Sequence, residues 1–213
     1  MKTGIEFFDQ SEFREGDLVV VLGGTCSGRT TLATNLAVAL ARSKEVVHFD
    51  LERPRERWSE HATALAEEGK LPLRYRNIVG VDLLMPDQIG SSVVVVDTVG
   101  LAVPREGVHE FARTAKQYAV RQHTVVVFMV QLRRELWGQL EAGGWVNPKE
   151  FPEWVLEFAD QIHLVRRTGA GMAVHRVKSD VSLWSRALRT LLRSPKDACT
   201  LQADSDGRLT QTG

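Results

Sequence analysis

Residues 18–31 read LVVVLGGTCSGRTT, and the architecture of the whole chain can be worked outward from them. Leu18 to Leu22 form a continuous apolar run, the signature of a strand buried on both faces. From Arg29 to Arg42 the pattern becomes RTTLATNLAVALAR, rich in Ala and Leu at helical spacing. Between strand and helix stand Gly23, Gly24, Thr25, Cys26, Ser27, Gly28, Arg29 and Thr30: a glycine, four residues, a glycine, a cation and a threonine. A loop of that spacing in that context can curl its backbone N–H groups into a nest, with the helix N-terminus adding partial positive charge. Such a nest holds phosphate. Thr30 is placed to offer its hydroxyl to Mg²⁺, with Thr31 next along the helix. The cation is the anomaly, because Arg29 stands where the motif asks for lysine and a broad fork does not simply replace a point charge. The plainer alternative is a glycine-rich turn capping an ordinary helix, against which strand, spacing and Thr30 all weigh.

The same alternation continues along the chain. Glu45 to Phe49, Ser92 to Val96 and Thr124 to Val130 are further apolar strands, and Pro54–Glu68 and Gly107–Gln122 read as helices. Apolar strands alternating with helices predict a mostly parallel sheet covered on both faces. Beyond residue 160 the rhythm shortens. Gln161–Val165, Met172–Val177 and Val181–Leu188 are strand-like with short connections, which predicts that the sheet finishes in antiparallel hairpins. Asp206-Gly207 marks a hairpin turn within a polar tail, so the expected organisation is one α/β domain over residues 1–196 followed by a tail, 197–213.

Composition narrows the functional classes. Hydrophobic residues make up 43% and charged residues 25% of 213, values that disfavour wholesale disorder. Lys plus Arg and Asp plus Glu are 27 each, so any attraction to nucleic acid must come from a local patch. Two cysteines are too few for a secreted disulfide framework. The opening MKTGIEFFDQ is too acidic and polar for a signal peptide, and no apolar run reaches the roughly 20 residues that span a bilayer. A cytoplasmic protein without membrane contact is expected. Six histidines without close pairing, and no Cys-x-x-Cys, argue against a zinc site. Cys26 reads first as a small buried filler, with redox control the rarer alternative.

Three groups join the loop at strand ends, the edge where open α/β sheets bind ligands. Glu52 follows the second strand, where an acid could activate water. Asp97 closes the run VVVV, the position of a carboxylate that attends Mg²⁺. Gln131 closes TVVVFMV, where an amide could sense a γ-phosphate.

With these elements in order, residues 3–180 resemble the ATPase domain of DnaB-type replicative helicases, within the wider RecA-like fold of P-loop NTPases. The opening TGIEFFDQSEFREGDLVVVLGG is similar to the family's lead-in, and HFDLERP to its strand-end Ser-Leu-Glu-Met motif. VVVVDTVGL is similar to its Walker B strand, VVVFMVQLRREL to its Ser-Gln-Leu-Asn-Arg segment, and EFADQIHLVRR to its Asp-Ala-Asp strand entry, with Asp160 at the last acid. The resemblance implies ATP and Mg²⁺ as cofactors, Glu52 as the catalytic glutamate, and a homo-oligomeric ring or filament. It also implies single-stranded DNA in a central channel and replication proteins as partners. The departures are Arg29 for lysine and a late Lys-x-Arg motif that appears as Lys178-Ser179-Asp180, placing an acid at the arginine-finger position. Lys178 and Arg176 are the remaining candidates for a cation reaching a γ-phosphate, across an interface or within the chain. No counterpart of the family's N-terminal helical module is read in the sequence.

The family's channel-facing loops correspond to Gly100–Val108 and Leu132–Trp154. Residues 132–160 carry three cations against six acids, which argues against a loop that tracks DNA. Trp137, Trp145 and Trp154 lie there, readable as stacking platforms, interface anchors or core. Residues 162–196 carry eight cations against Asp180 alone, a footprint for nucleic acid or for an acidic neighbouring subunit. Two expectations follow: an Mg²⁺-dependent ATPase of helicase type with weakened motifs, or a nucleotide-gated regulatory or loader-like accessory with little turnover.

Overall fold

A computed structural model describes residues 3, 5–10, 13–52, 55–66, 72, 74–77, 92–141, 150–169, 171–178, 198–206 and 208–212. The chain runs through α1 (Glu6–Asp9), β1 (Leu18–Gly23), α2 (Arg29–Leu40), β2 (Val46–Asp50), α3 (Arg55–Leu65) and β3 (Tyr75–Asn77). It continues through β4 (Val93–Asp97), α4 (Val99–Ala102), a 3-10 turn (Arg105–Gly107), α5 (Val108–Gln122), β5 (Val125–Gln131), α6 (Arg134–Glu141) and α7 (Glu153–Phe158). It ends in β6 (Gln161–Thr168), β7 (Gly171–Lys178), β8 (Ala198–Ala203) and β9 (Leu209–Gln211).

The described strands form one nine-stranded sheet in the order β3-β2-β4-β5-β1-β6-β7-β8-β9. The first six pair in parallel and the rest antiparallel, so the fold is α/β with a mostly parallel mixed sheet. Each apolar strand divides its side chains between two cores. Val19 and Val21 pack with Leu32 and Leu36 of α2 and Leu65 of α3, whereas Leu18, Val20 and Leu22 pack with Phe111 of α5 and Trp154 and Val155 of α7. Alternation inside a run with no polar residues is what two covered faces require. In the second core the Phe111 and Phe128 rings stack at 5.2 Å between centroids, and Trp154 meets Phe128 edge-on at 6.3 Å.

The expected strands and helices form within a few residues of their predicted limits. Leu132–Trp154, expected as a loop, is instead partly helical: α6 buries Leu136 and α7 buries Trp154 and Val155. The strand expected over Val181–Leu188 lies outside the described residues. The tail forms the expected hairpin, with Asp204 Oδ1 accepting from Asp206 N and Arg208 N, both at 2.9 Å. This hairpin joins the sheet through β7, because Cys199, Leu201 and Leu209 alternate into the α2 core. Among the described residues no helix is long and apolar enough to cross a membrane.

The amino end of β1 is pinned separately. Asp160 Oδ2 accepts from Leu18 N at 2.7 Å and from Lys116 Nζ at 2.6 Å, while Lys116 Nζ also donates to Gly16 O at 2.7 Å. Asp160 therefore ties α5 to the start of the central strand. Farther along β6, His163 is fully buried against the Phe7 and Phe8 rings, beside Arg176. Burial, reinforced by the Arg176 charge, pushes its pKa down to about 3. A folded pKa below the unfolded value makes His163 contribute stability above pH 6.5 that is lost as pH falls toward 3. Between pH 7 and pH 5 this amounts to about 2 kcal/mol. Urea denaturation of His163→Leu is expected to show a shallower loss of stability over that interval than the wild type. Parallel pH profiles would show that His163 titrates normally.

Candidate functional site

In the sheet, β1 and β5 are neighbours whose following connections leave to opposite faces. α2 packs in one core and α6, with Leu132, in the other. That divergence marks the region of the carboxyl edge where open α/β sheets take their ligands. The loop after β1 lies in it. Gly23 pairs with Gln131 in register, and Leu132 N donates to Gly23 O at 2.9 Å, so the end of β5 is tied to the loop. Gln131 Nε2 also donates to Thr25 Oγ1 at 3.1 Å. On the far side of β5, Asp97 ends β4 opposite Asp50 at the end of β2.

The loop's backbone turns through left-handed conformations at Cys26 (φ 59°) and Gly28 (φ 90°), and α2 begins with Leu32 N donating to Gly28 O at 2.9 Å. Cys26 is exposed, so it is not the buried filler its residue type implied. Three loop glycines lie close to their neighbours. A Cβ on Gly23 would stand 2.9 Å from Val165 O, one on Gly24 1.8 Å from the Trp137 ring, and one on Gly28 2.5 Å from the end of the Met172 side chain. Trp137 from α6 and Met172 from β7 thus bracket the loop. Of the other two tryptophans weighed as stacking platforms, Trp154 belongs to the core and Trp145 lies outside the described residues.

Four buried polar atoms without a hydrogen-bond partner gather around this loop: Ser27 Oγ, Arg29 Nε, Arg29 Nη1 and Asp97 Oδ2. Arg29 is only 6% exposed, and its Cδ lies 3.0 Å from where a Cβ on Gly23 would stand, so the side chain folds back beneath the loop. Burial lowers its pKa, and the nearby charges of Asp97 and Glu52 oppose that shift. Asp97 is fully buried; burial raises its pKa to about 6, helped by Glu52 and Asp50 and opposed by the Thr30 and Thr98 hydroxyls. Glu52 accepts from Thr30 Oγ1 at 3.3 Å and from Thr98 Oγ1 at 2.6 Å, and Thr98 Oγ1 lies 3.0 Å from Asp97 Oδ1. The structure therefore brings Arg29, Thr30, Glu52 and Asp97 together, with Gln131 on the opposite lip.

Two sequence-derived candidates lie elsewhere. Arg176 Nη2 donates to Phe7 O at 3.1 Å and its guanidinium covers the Phe7 ring at 5.0 Å, so it engages its own chain. Lys178 pairs through its backbone with Ile162 beside an irregularity in the β6–β7 register, and its side chain lies outside the described residues. Three contributors escaped the sequence reading. Asp50 was passed over as the residue before Leu51-Glu52, although its in-register position beside Asp97 follows from pairing the two strand ends. Thr98 carried no signal beyond adjacency to Asp97. Met172 carried none.

The donor set suits a divalent cation bound together with phosphate. Asp97 offers an orphaned carboxylate oxygen and Thr30 a hydroxyl, the sparse protein contribution that Mg²⁺ takes when phosphate oxygens complete its shell. Among the described residues no group of three or more His, Cys, Asp or Glu gathers to hold a metal by itself. The fold and site thus define an α/β protein with a glycine loop, a buried cation and a carboxylate cluster at the carboxyl edge of its sheet. No protein-family model and no curated protein sequence matches the chain.

The contact between Trp137 and Gly24 can be measured by a mutant cycle. Gly24→Ala is expected to destabilise the fold by about 1–3 kcal/mol through overpacking. In a Trp137→Ala background the same change should be nearly neutral in denaturant midpoint. Equal penalties in both backgrounds would show that the ring does not confine the loop.

Proposed function

We propose that this chain is an Mg²⁺-dependent ATP-binding protein of the RecA-like P-loop type, similar to a DnaB-type helicase core and acting in DNA replication or recombination, with slow hydrolysis. The observation that carries the reading is the buried guanidinium of Arg29, whose Nε and Nη1 lack a hydrogen-bond partner, beneath a glycine loop at a helix N-terminus. A cation there is opposed both by burial and by the helix dipole, and an anion in the loop would relieve both. The orphaned oxygen of Asp97 supplies the complementary half, a site for positive charge.

In this reading the backbone N–H groups of residues 24–30 and the Arg29 fork bind the phosphates, and Thr30 with Asp97 holds the cation. Mg²⁺ bound there would supply charge neutralisation to the phosphates. Glu52 accepts a proton from the attacking water, and Gln131, which holds Thr25, responds to the γ-phosphate. A homo-oligomeric ring or filament, single-stranded DNA and a replication-protein partner belong to the same proposal. The acid-rich 132–160 segment and the basic 162–196 segment support contact between copies, because one could present each sign to the other.

A second reading, a nucleotide-gated regulator with little turnover, is favoured by two observations. Arg29 stands in place of lysine, and Arg176 is engaged with Phe7 in its own chain. An arginine finger is worth roughly 10³- to 10⁵-fold in related NTPases, so without one, turnover would be slow.

Calorimetry should detect ATP binding with Mg²⁺ present, weakened roughly 10- to 100-fold by Arg29→Ala, the loss expected when a charged hydrogen-bonding group is removed. Absence of binding to the wild type would overturn the proposal. Among binders, faster turnover in Arg29→Lys would support the regulatory reading of a degenerate site, and slower turnover would mark Arg29 as adapted to hydrolysis.

A further inference from the structure

Thr98 occupies the N-cap position of α4, with extended backbone (φ −115°, ψ 139°), a place where a threonine hydroxyl ordinarily accepts a hydrogen bond from the first turn. It makes no such bond. Its side chain, in a residue only 3% exposed, turns instead toward two carboxylates, 2.6 Å from Glu52 Oε1 and 3.0 Å from Asp97 Oδ1. A hydroxyl has one hydrogen, which it donates to one acceptor at a time. The Glu52 contact, at 2.6 Å, is shorter than the Asp97 contact at 3.0 Å, so Glu52 receives it.

We infer that Thr98 is a positioning residue, which fixes the Glu52 carboxylate beside Asp97 at the mouth of the loop. This inference rests on the nucleotide reading above. Glu52 is exposed and follows the end of β2, so its own backbone leaves the carboxylate free to swing into solvent. The second tether, Thr30 Oγ1 at 3.3 Å, is long, and it belongs to the hydroxyl assigned to the cation. Once Thr30 turns to that cation, Thr98 remains the hydroxyl on Glu52. Thr98 is buried on the strand end that carries Asp97, so it sets the separation between the group that attends the metal and the group that takes the proton. In the reaction, the oxygen of water forms a bond to the γ-phosphorus, the bond from that phosphorus to the β-bridging oxygen breaks, and a proton of the water passes to Glu52. Thr98 exchanges no atom. It determines where the accepting oxygen waits.

The test is steady-state ATP turnover together with calorimetric binding of Mg²⁺-ATP to the full chain carrying Thr98→Val, Thr98→Ser or no change. Valine preserves the shape and removes the hydroxyl. The expected result is a kcat roughly 10- to 100-fold lower in Thr98→Val, the size typical of a lost supporting contact, with KM and binding affinity within a few-fold of wild type. Thr98→Ser should restore most of the turnover. Equal kcat in Thr98→Val and wild type would overturn the inference and leave the nucleotide reading intact. So would a wild type that binds Mg²⁺-ATP without hydrolysing it, or a Thr98→Ser as slow as Thr98→Val. Should Thr98→Val fail to fold, Thr98→Ser and Thr98→Ala decide by the same comparison. A wild type that binds no nucleotide would overturn the nucleotide reading, and this inference with it.

Discussion

Much of this molecule follows from one buried positive charge. Arg29 is the first residue of α2, where the helix dipole opposes a cation, and it folds back beneath the loop where water cannot solvate it. Among the described residues Asp97 and Glu52 offset that charge, and neither hydrogen-bonds its Nε or Nη1. Asp97 has the mirror problem, a carboxylate held in the sheet with one oxygen orphaned and its pKa raised to about 6. Each group partly compensates the other, and each keeps buried hydrogen-bonding capacity without a partner. A fold selected for stability alone would have placed apolar residues at these two positions.

The sheet makes that arrangement affordable. β1 and β5 are buried on both faces, and the chain leaves them toward opposite layers. The carboxyl edge is therefore where the connections part, while the amino edge is tied by the bonds of Asp160 to Leu18 and Lys116. Rigidity lies at one end of the strands and polar strain at the other. The loop itself is confined by packing: Trp137 lies against Gly24 and Met172 against Gly28, so these glycines serve close approach as well as backbone freedom.

Charge is distributed with similar economy. The whole chain is balanced, yet Asp50, Glu52 and Asp97 crowd one strand edge with Arg29 as their neighbouring cation. The hydroxyls of Thr30 and Thr98 moderate the crowding by donating to Glu52. Two neutral side chains thereby hold a carboxylate beside a second one that would otherwise repel it.

The apolar runs and the glycine loop were legible in the sequence because strand burial and glycine spacing are local patterns, repeated every two residues or fixed within eight. Leu18–Leu22, Val93–Val96 and Val125–Val130 each declared a strand covered on both faces, and Glu52, Asp97 and Gln131 could be placed at their ends by counting. What no local pattern contained was proximity between strand ends. That Asp50 faces Asp97, that Thr98 turns from capping its helix to holding Glu52, and that Trp137 closes on Gly24 all depend on strand order and on the layer each connection enters. The helices within 132–158 were missed because their few apolar anchors, Leu136, Trp154 and Val155, gain a period only against the core they meet. Sequence alone named candidate residues in the loop and at the strand ends; the tertiary structure decided which of them lie together, because contact across a sheet is made by register and not by distance along the chain.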